Sequence, residues 1–443
     1  MTLLHTLAEA TRGAELTRRT GVVQQLSGLM IEASGPDAVL GEVCQIEVRG
    51  RAGQIVPPLM AEVVGMRAGR VMLMPYGTSE GLAPGCVVTA TGETPSIAVG
   101  EALLGRVIDG FGHALDGRPD PWTAERRPVR ARPVNPMHRP RITEVMETGV
   151  RSIDALLTLG KGQRVGIFAG SGVGKSTLLG MIARHVRADI NVIALIGERG
   201  REVREFIDKQ LGPEGLARSV VVVATSDQPA LARLRAAHAA VTVAEYFRDR
   251  GQQVLLTMDS VTRFAMARRE VGLSAGEPPT ARGYTPSVFA ELPELCERCG
   301  TGLSGGSITA LLTVLVEGDD LNEPITDCLR ATLDGHVVLS RQLANRGQYP
   351  AIDALKSVSR LMPDLVPAPV QALAVQAVEL LALLDRNRQL VDIGAYERGT
   401  NAALDKALAL EAELIAFLRQ SEGGVPRDEA VHRLATLILK GHP

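Results

Sequence analysis

The run Ala169-Gly170-Ser171-Gly172-Val173-Gly174-Lys175-Ser176-Thr177 constrains this chain more than any other feature. It follows Arg164–Phe168, which reads as a strand, and precedes Leu178–Val186, which reads as a helix. Glycines at 170, 172 and 174 let successive backbone N–H groups curl into a nest for phosphates, and the helix N-terminus adds positive potential. In such a P-loop, Lys175 reaches the β- and γ-phosphates, and Ser176 or Thr177 offers a hydroxyl to Mg²⁺. Residues Gly170 to Thr177, with Ser171 and Val173 among them, are therefore candidate nucleotide contacts. The strict pattern has glycine at 169, but an alanine methyl at the strand end need not obstruct the nest. The motif predicts binding and hydrolysis of Mg-ATP.

Two further signals fall at strand ends. The apolar run Val254–Met258 ends in Asp259 and has the form of a Walker-B strand, whose carboxylate holds Mg²⁺ through water. Many strands end in aspartate, and it is the P-loop upstream that gives this one meaning. Gly197-Glu198-Arg199-Gly200-Arg201-Glu202 follows the apolar strand Asn191–Ile196. A carboxylate there faces the same crevice as the γ-phosphate, so Glu198 could polarise the attacking water and Arg199 brace the site. By itself, such a charged run reads equally well as a solvated loop.

The length of 443 residues suits two or three domains. Short β-prone runs separated by turns (Val22–Leu26, Val43–Val48, Leu59–Val64, Val71–Met74, Val87–Ala90) predict a small β-barrel or sandwich. The turns include Ser34-Gly35-Pro36-Asp37 and Arg67-Ala68-Gly69. Arg118–Arg141, rich in proline and arginine, reads as an ordered connector rather than a nucleic-acid arm. From Gly162 buried strands alternate with helices, the strands being Arg164–Phe168, Asn191–Ile196, Val220–Ala224, Val254–Met258 and Ser307–Val316. This is a βαβ pattern with ligands expected at the carboxyl ends of the strands. One helix is bounded by Asp227 with Pro229, and by Gly251. Helical stretches Val370–Leu384 and Asn401–Leu418 close the chain, giving expected domains at 1–95, 96–369 and 370–443.

A net charge of −2 supplies no positive field for DNA or RNA, and an aromatic content of 3% offers few platforms for stacked bases. No apolar run approaches the roughly 18 to 20 residues needed to cross a bilayer, and Met1–Gly13 lacks a basic region followed by an apolar stretch, so an intracellular chain is expected. Five scattered cysteines predict free thiols. Cys296-Glu297-Arg298-Cys299 invites a zinc or redox reading, but without a second such pair or a nearby histidine, two reduced helical thiols are expected.

Together these residues resemble the hexameric ATPases related to the catalytic subunit of rotary ATP synthases, and within them the flagellar and type III secretion export ATPases. The resemblance runs from about Arg19 to Gly399 and rests on the P-loop, Gly197–Val203, Gly276–Tyr284, Val316–Asp320, Asp334–Arg341, Tyr349–Asp353 and Ser357–Arg360. Gly276–Tyr284 and Ile393-Gly394-Ala395-Tyr396 are similar to the export branch, and the lean is to its flagellar members over virulence injectisomes. The resemblance implies an N-terminal β-barrel, a RecA-like central P-loop domain and a C-terminal helical domain. It implies Glu198 as catalytic carboxylate, Asp259 and Ser176 at the metal, Arg199 and Arg263 ordering the site, Arg360 as an arginine finger in a neighbouring subunit's site, and Tyr396 at the adenine. It further implies a cytoplasmic homohexamer that meets stalk and regulator subunits, chaperone–substrate complexes and a membrane export apparatus peripherally. A non-catalytic ring subunit, expected to lack Glu198, and a synthase catalytic subunit, which needs a second nucleotide-binding chain, are the alternatives.

Overall fold

The computed structural model describes residues 18–50, 56–67, 69–421 and 423–440. Met1–Gly13 lies outside them, as does Ala68 of the Arg67-Ala68-Gly69 turn. The chain divides into two compact units, one carrying a barrel and the other beginning at Ser96.

The barrel strands are β1 (Thr20–Ser27), β2 (Met30–Ser34), β3 (Val43–Ile46), β4 (Leu59–Arg67), β5 (Arg70–Pro75) and β6 (Val87–Ala90). They close in the order β1-β2-β5-β4-β3-β6, which leaves no free edge. Val23, Ile31, Ala33, Cys44, Ile46, Val63, Leu73 and Val88 fill the interior. Sequence reading missed β2, whose five residues include Glu32 and Ser34 and make too short an alternation to stand out.

In the second unit a sheet is built from β7 (Arg106–Asp109), β8 (Arg164–Ala169), β9 (Ile190–Glu198), β10 (Ser219–Thr225), β11 (Gln253–Asp259), β12 (Ser307–Leu315), β13 (Gly335–Leu339) and β14 (Val358–Ser359). The order is β14-β13-β8-β12-β11-β9-β10-β7, with a short ninth strand, Gly300–Thr301, antiparallel to β12. All neighbours in the main path run parallel except the edge pair β13 and β14. Helices cover both faces of such a sheet, which is why β9 and β10 are apolar almost throughout rather than alternating. The central five strands match the expected runs within two residues. The edge strands β7 and β14, and β13 next to the edge, were not anticipated, being short and partly polar.

Helices α1 (Lys175–His185), α2 (Ala230–Arg248), α3 (Val261–Ser274) and α4 (Pro286–Glu297) belong to this layer, α2 lying between its predicted start and stop signals. Then come α5 (Ala368–Asp392), α6 (Ala402–Leu418) and α7 (Arg427–Lys440). Ala374, Leu384, Leu410, Leu414 and Leu434 from these last helices share one hydrophobic core with Leu178 and Ile182 of α1. One expectation needs correction: α5 is long and apolar enough to cross a membrane by length and composition, with a mean hydropathy of 1.4 over its best window, of which 17% is buried. A search for uninterrupted apolar runs overlooks it because Gln371, Gln376 and Glu379 punctuate the Ala/Leu/Val sequence. In the fold, α5 packs Ala374, Ala377 and Leu384 inward.

The connector Arg118–Arg141 is ordered, with Glu125–Pro128 pairing antiparallel to Ser96–Val99. All five cysteines are free. Cys296 lies in α4 and Cys299 just beyond it, where burial pushes its thiol up to about 12. The residue between them carries more of the structure. Arg298, 3% exposed, donates to both carboxylate oxygens of Glu245 at 3.0 and 2.6 Å, to Val129 O at 2.7 Å and to Thr242 Oγ1 at 2.9 Å. This fork fastens the connector and the end of α4 to α2. Removing one member leaves a buried charge uncompensated, so Arg298→Ala is expected to lower unfolding free energy by roughly 3–5 kcal/mol. Urea denaturation checks this, and an unchanged midpoint would contradict it.

Candidate nucleotide site

The sheet order places β8, β12, β11 and β9 side by side, so residues leaving their carboxyl ends converge. Gly174, with φ at 88°, turns the chain from the loop after β8 into α1. No side chain caps the first-turn amides of α1, which leaves an N-terminus suited to phosphate. The hydroxyl-bearing Ser176 and Thr177 are exposed, whereas Val173 is 1% exposed and packs into the core. Val173 can therefore contribute its backbone only.

Asp259 ends β11 and is 4% exposed. Glu198 ends β9, where a bulge between Ile196 and Glu198 interrupts the ladder to β10. Gly197 makes that bulge possible: its φ is 71°, and a Cβ there would sit 2.8 Å from Cβ of Arg263. The glycine before Glu198 thus both re-aims the strand end and admits α3 closely. Lys175 reaches across the end of β12, pairs with Asp259, and lies 3.8 Å from Glu198 Oε1. Burial, and then the neighbouring Asp259 charge, raise the proton affinity of Glu198, while Lys175 opposes them. Glu202, hydrogen-bonded to Glu198, adds to the rise.

A cleft of about 690 Å³ opens over these groups, a volume within the range of nucleotide-sized ligand sites. Gly170, Ser171, Gly172, Gly174, Lys175, Ser176, Thr177, Glu198, Arg199 and Arg263 line it. Arg199 is largely exposed and 3.4 Å from Glu202. Arg263 has its Nε buried without a protein partner, a cationic group that an incoming anion would satisfy. Among the described residues no cluster of three His, Cys, Asp or Glu side chains could hold a metal alone. The oxygen donors Ser176 and Asp259 still suit Mg²⁺, which takes its remaining ligands from substrate phosphates and water.

Tyr396, expected at the adenine, is not brought here, and Arg360, expected to act in a neighbouring subunit's site, lies outside the cleft of its own chain. Tyr396 has its hydroxyl 3.1 Å from Asn401 O and 3.0 Å from Asp405 Oδ1 and is not among the residues lining the cleft; Tyr349, also outside that lining, does stand beside the P-loop. The Tyr349 ring lies 3.3 Å from where a Cβ on Gly174 would stand, and it is 45% exposed. The sequence clue was an aromatic residue in the Tyr349–Asp353 segment, but no spacing linked it to the P-loop. Arg360 is likewise outside the cleft. Its N–H donates to Asp334 O, and Asp334 also bonds Arg164, the first residue of β8, whereas the P-loop leaves the last. Five residues of extended strand, about 16 Å, separate those ends. Arg360 therefore cannot serve the P-loop of its own chain. Arg341, also overlooked in the sequence, borders the cleft and donates to Ser171 O at 3.3 Å.

Residues 149–359 match the ATP synthase alpha/beta family nucleotide-binding domain, 23–92 its beta-barrel domain, and 366–436 the T3SS EscN ATPase C-terminal domain. The chain is 56% identical over 403 residues to the flagellum-specific ATP synthase of Bacillus subtilis, covering 91% of each chain. It is 50% identical over 441 residues to the type 3 secretion system ATPase of Xanthomonas euvesicatoria, covering 98% of each. The assembled ATPase EscN from the enteropathogenic E. coli type III secretion system superposes with a TM-score of 0.89 at 43% identity, covering 94% of this chain and all of that one. Barrel, P-loop sheet, helical C-terminal region and these likenesses agree, and the chain belongs to the family of flagellum-specific ATP synthases and type 3 secretion ATPases.

Proposed function

We propose that this chain is the flagellar-type export ATPase of its cell, hydrolysing Mg-ATP at the boundaries between identical subunits to support chaperone release and delivery of substrates to an export gate. The observation that carries the catalytic reading is the convergence of Lys175, Asp259 and Glu198 beneath an uncapped helix N-terminus. On binding, Lys175 exchanges its carboxylate partner for phosphate oxygens, and the amides of the loop and first turn of α1 hold the β-phosphate. Glu198, made more basic by burial and by Asp259, orients and polarises the attacking water. Ser176 and Asp259 would hold Mg²⁺, which when bound neutralises the triphosphate and the charge that builds on it. Arg199 and Arg263 order the cleft mouth. Tyr349 offers an aromatic face for the base.

Arg360 stands at the opposite end of the strands from its own P-loop, and its guanidinium donates to Arg330 O at 2.9 Å; turned from that carbonyl, it would complete a neighbour's site, as an arginine finger does. Such a group is worth about 10³ to 10⁵ in rate, so an isolated protomer is slow. This supports a homohexameric ring, in keeping with the solved EscN, a protein whose assembled form has also been described with its central stalk EscO. We extend to this chain a stalk partner, a regulator subunit, and a cytoplasmic position at the membrane export apparatus. The flagellar assignment follows the relatives, three of which bear that name at 51–56% identity.

Three experiments test this reading. In equilibrium titration with a fluorescent ATP analogue, Lys175→Ala is expected to abolish binding and Tyr349→Ala to weaken it about five-fold or more; retention of affinity by either removes that residue from the site. In turnover assays, Glu198→Gln and Arg360→Ala are each expected to fall at least about 10³-fold. Mixing the two inactive variants should recover activity, because some interfaces then combine an intact Glu198 with an intact Arg360. Failure of the mixture to recover any turnover would refute action across the boundary. Deletion of the gene is expected to abolish motility, and a motile deletion strain that no longer secretes effectors would transfer the assignment to a virulence system.

A further inference from the structure

We propose that Thr313 is a positioning residue for ATP hydrolysis: its hydroxyl fixes the carboxylate of Asp259 so that the acid stays set for the metal when Lys175 turns to the nucleotide. The inference rests on the reading of Asp259 as the metal-holding acid. Thr313 lies on β12, is 0% exposed, and has Leu312 and Val314 as its buried chain neighbours. The parallel register pairs Met258 with Leu312, which sets Thr313 beside Asp259. Its Oγ1 is 2.8 Å from Asp259 Oδ1 and 3.1 Å from Met258 O.

A hydroxyl has one proton for these two acceptors, and the charges decide where it goes. Lys175 pairs with the same Oδ1, which is also the nearer acceptor for the hydroxyl, 2.8 Å away against 3.1 Å for Met258 O. A lone pair of Thr313 directed at that oxygen would be repelled, and the proton therefore points to Oδ1. Valine would occupy almost the same volume on a buried strand and would bring no hydroxyl to desolvate. The hydroxyl is compensated by this charge-assisted bond.

The arrangement matters most once a triphosphate enters. Lys175 is a flexible side chain whose ammonium is wanted by the phosphates, so Asp259 loses that partner on nucleotide binding. Thr313 is held by the sheet and stays. With Oδ1 engaged, the carboxylate cannot rotate freely, and Oδ2 is left uncommitted by either donor.

The test compares Thr313→Val, Thr313→Ser and Asp259→Asn in the full chain. For Thr313→Val, the Mg²⁺ concentration giving half-maximal turnover should rise about ten-fold, the scale on which outer-shell partners tune metal sites. Binding of a fluorescent ATP analogue should weaken comparably with Mg²⁺ and stay unchanged in EDTA, and Thr313→Ser should restore wild-type values in both. Unchanged Mg²⁺ dependence in Thr313→Val overturns the proposal. So does a serine variant as impaired as the valine one, or an equal loss of affinity in EDTA, which would mark a merely structural role. If Asp259→Asn shifts the Mg²⁺ dependence while Thr313→Val does not, only the role of Thr313 falls; if Asp259→Asn leaves it unmoved, the metal-holding reading of Asp259 falls first.

Discussion

The contact of the Lys175 ammonium with Asp259, and its approach to Glu198, draw three separate strand ends into one site. None of these residues is near another in sequence. They meet because β12 enters between β8 and β11, and β9 follows on the far side, so that a lysine opening α1, just past the loop after β8, spans a single strand to reach an acid. The parallel sheet is thus the instrument of the chemistry: it aims its carboxyl ends at one crevice, and its buried apolar strands set how closely the charged groups stand.

Charge balance explains why the site holds together as it does. One ammonium faces two partly buried carboxylates, with Glu202 close behind. Burial first, and then the neighbouring Asp259 charge, raise the cost of ionising Glu198, which is why its proton affinity rises. A triphosphate brought in without a compensating cation would add to the negative side. The buried, unpartnered Nε of Arg263 and the uncapped amides of α1 supply positive potential on the other side of that balance.

What could be read from sequence was what is local. The P-loop announces itself because strand, glycines, lysine and helix are contiguous, and β9 and β11 because an apolar run with a terminal acid needs no distant partner to be recognised. The strands at or next to the edges, β7, β13 and β14, escaped, since such a place is defined by neighbours in space and these strands are short. The cysteine pair drew attention to a metal that the fold gives no reason to expect, while Arg298, between the cysteines, passed unremarked as a charge in a helical stretch. Only its desolvated fork to Glu245 marks it out. Tyr349 and Thr313 were invisible for a related reason: an aromatic beside a glycine and a hydroxyl beside an aspartate are facts of packing between segments far apart in the chain.

The placement of Arg360 at the foot of the strands that carry the P-loop at their head gives each chain a polarity, a giving end and a receiving end. If the giving end of one copy completes the receiving end of the next, contacts are head-to-tail, and the number of finished pockets depends on closure. An open row always carries one pocket that nothing completes and one arginine with nowhere to act. A closed circle has neither, so the last subunit to join contributes two working pockets, where the first contributed none and each one between contributed a single pocket.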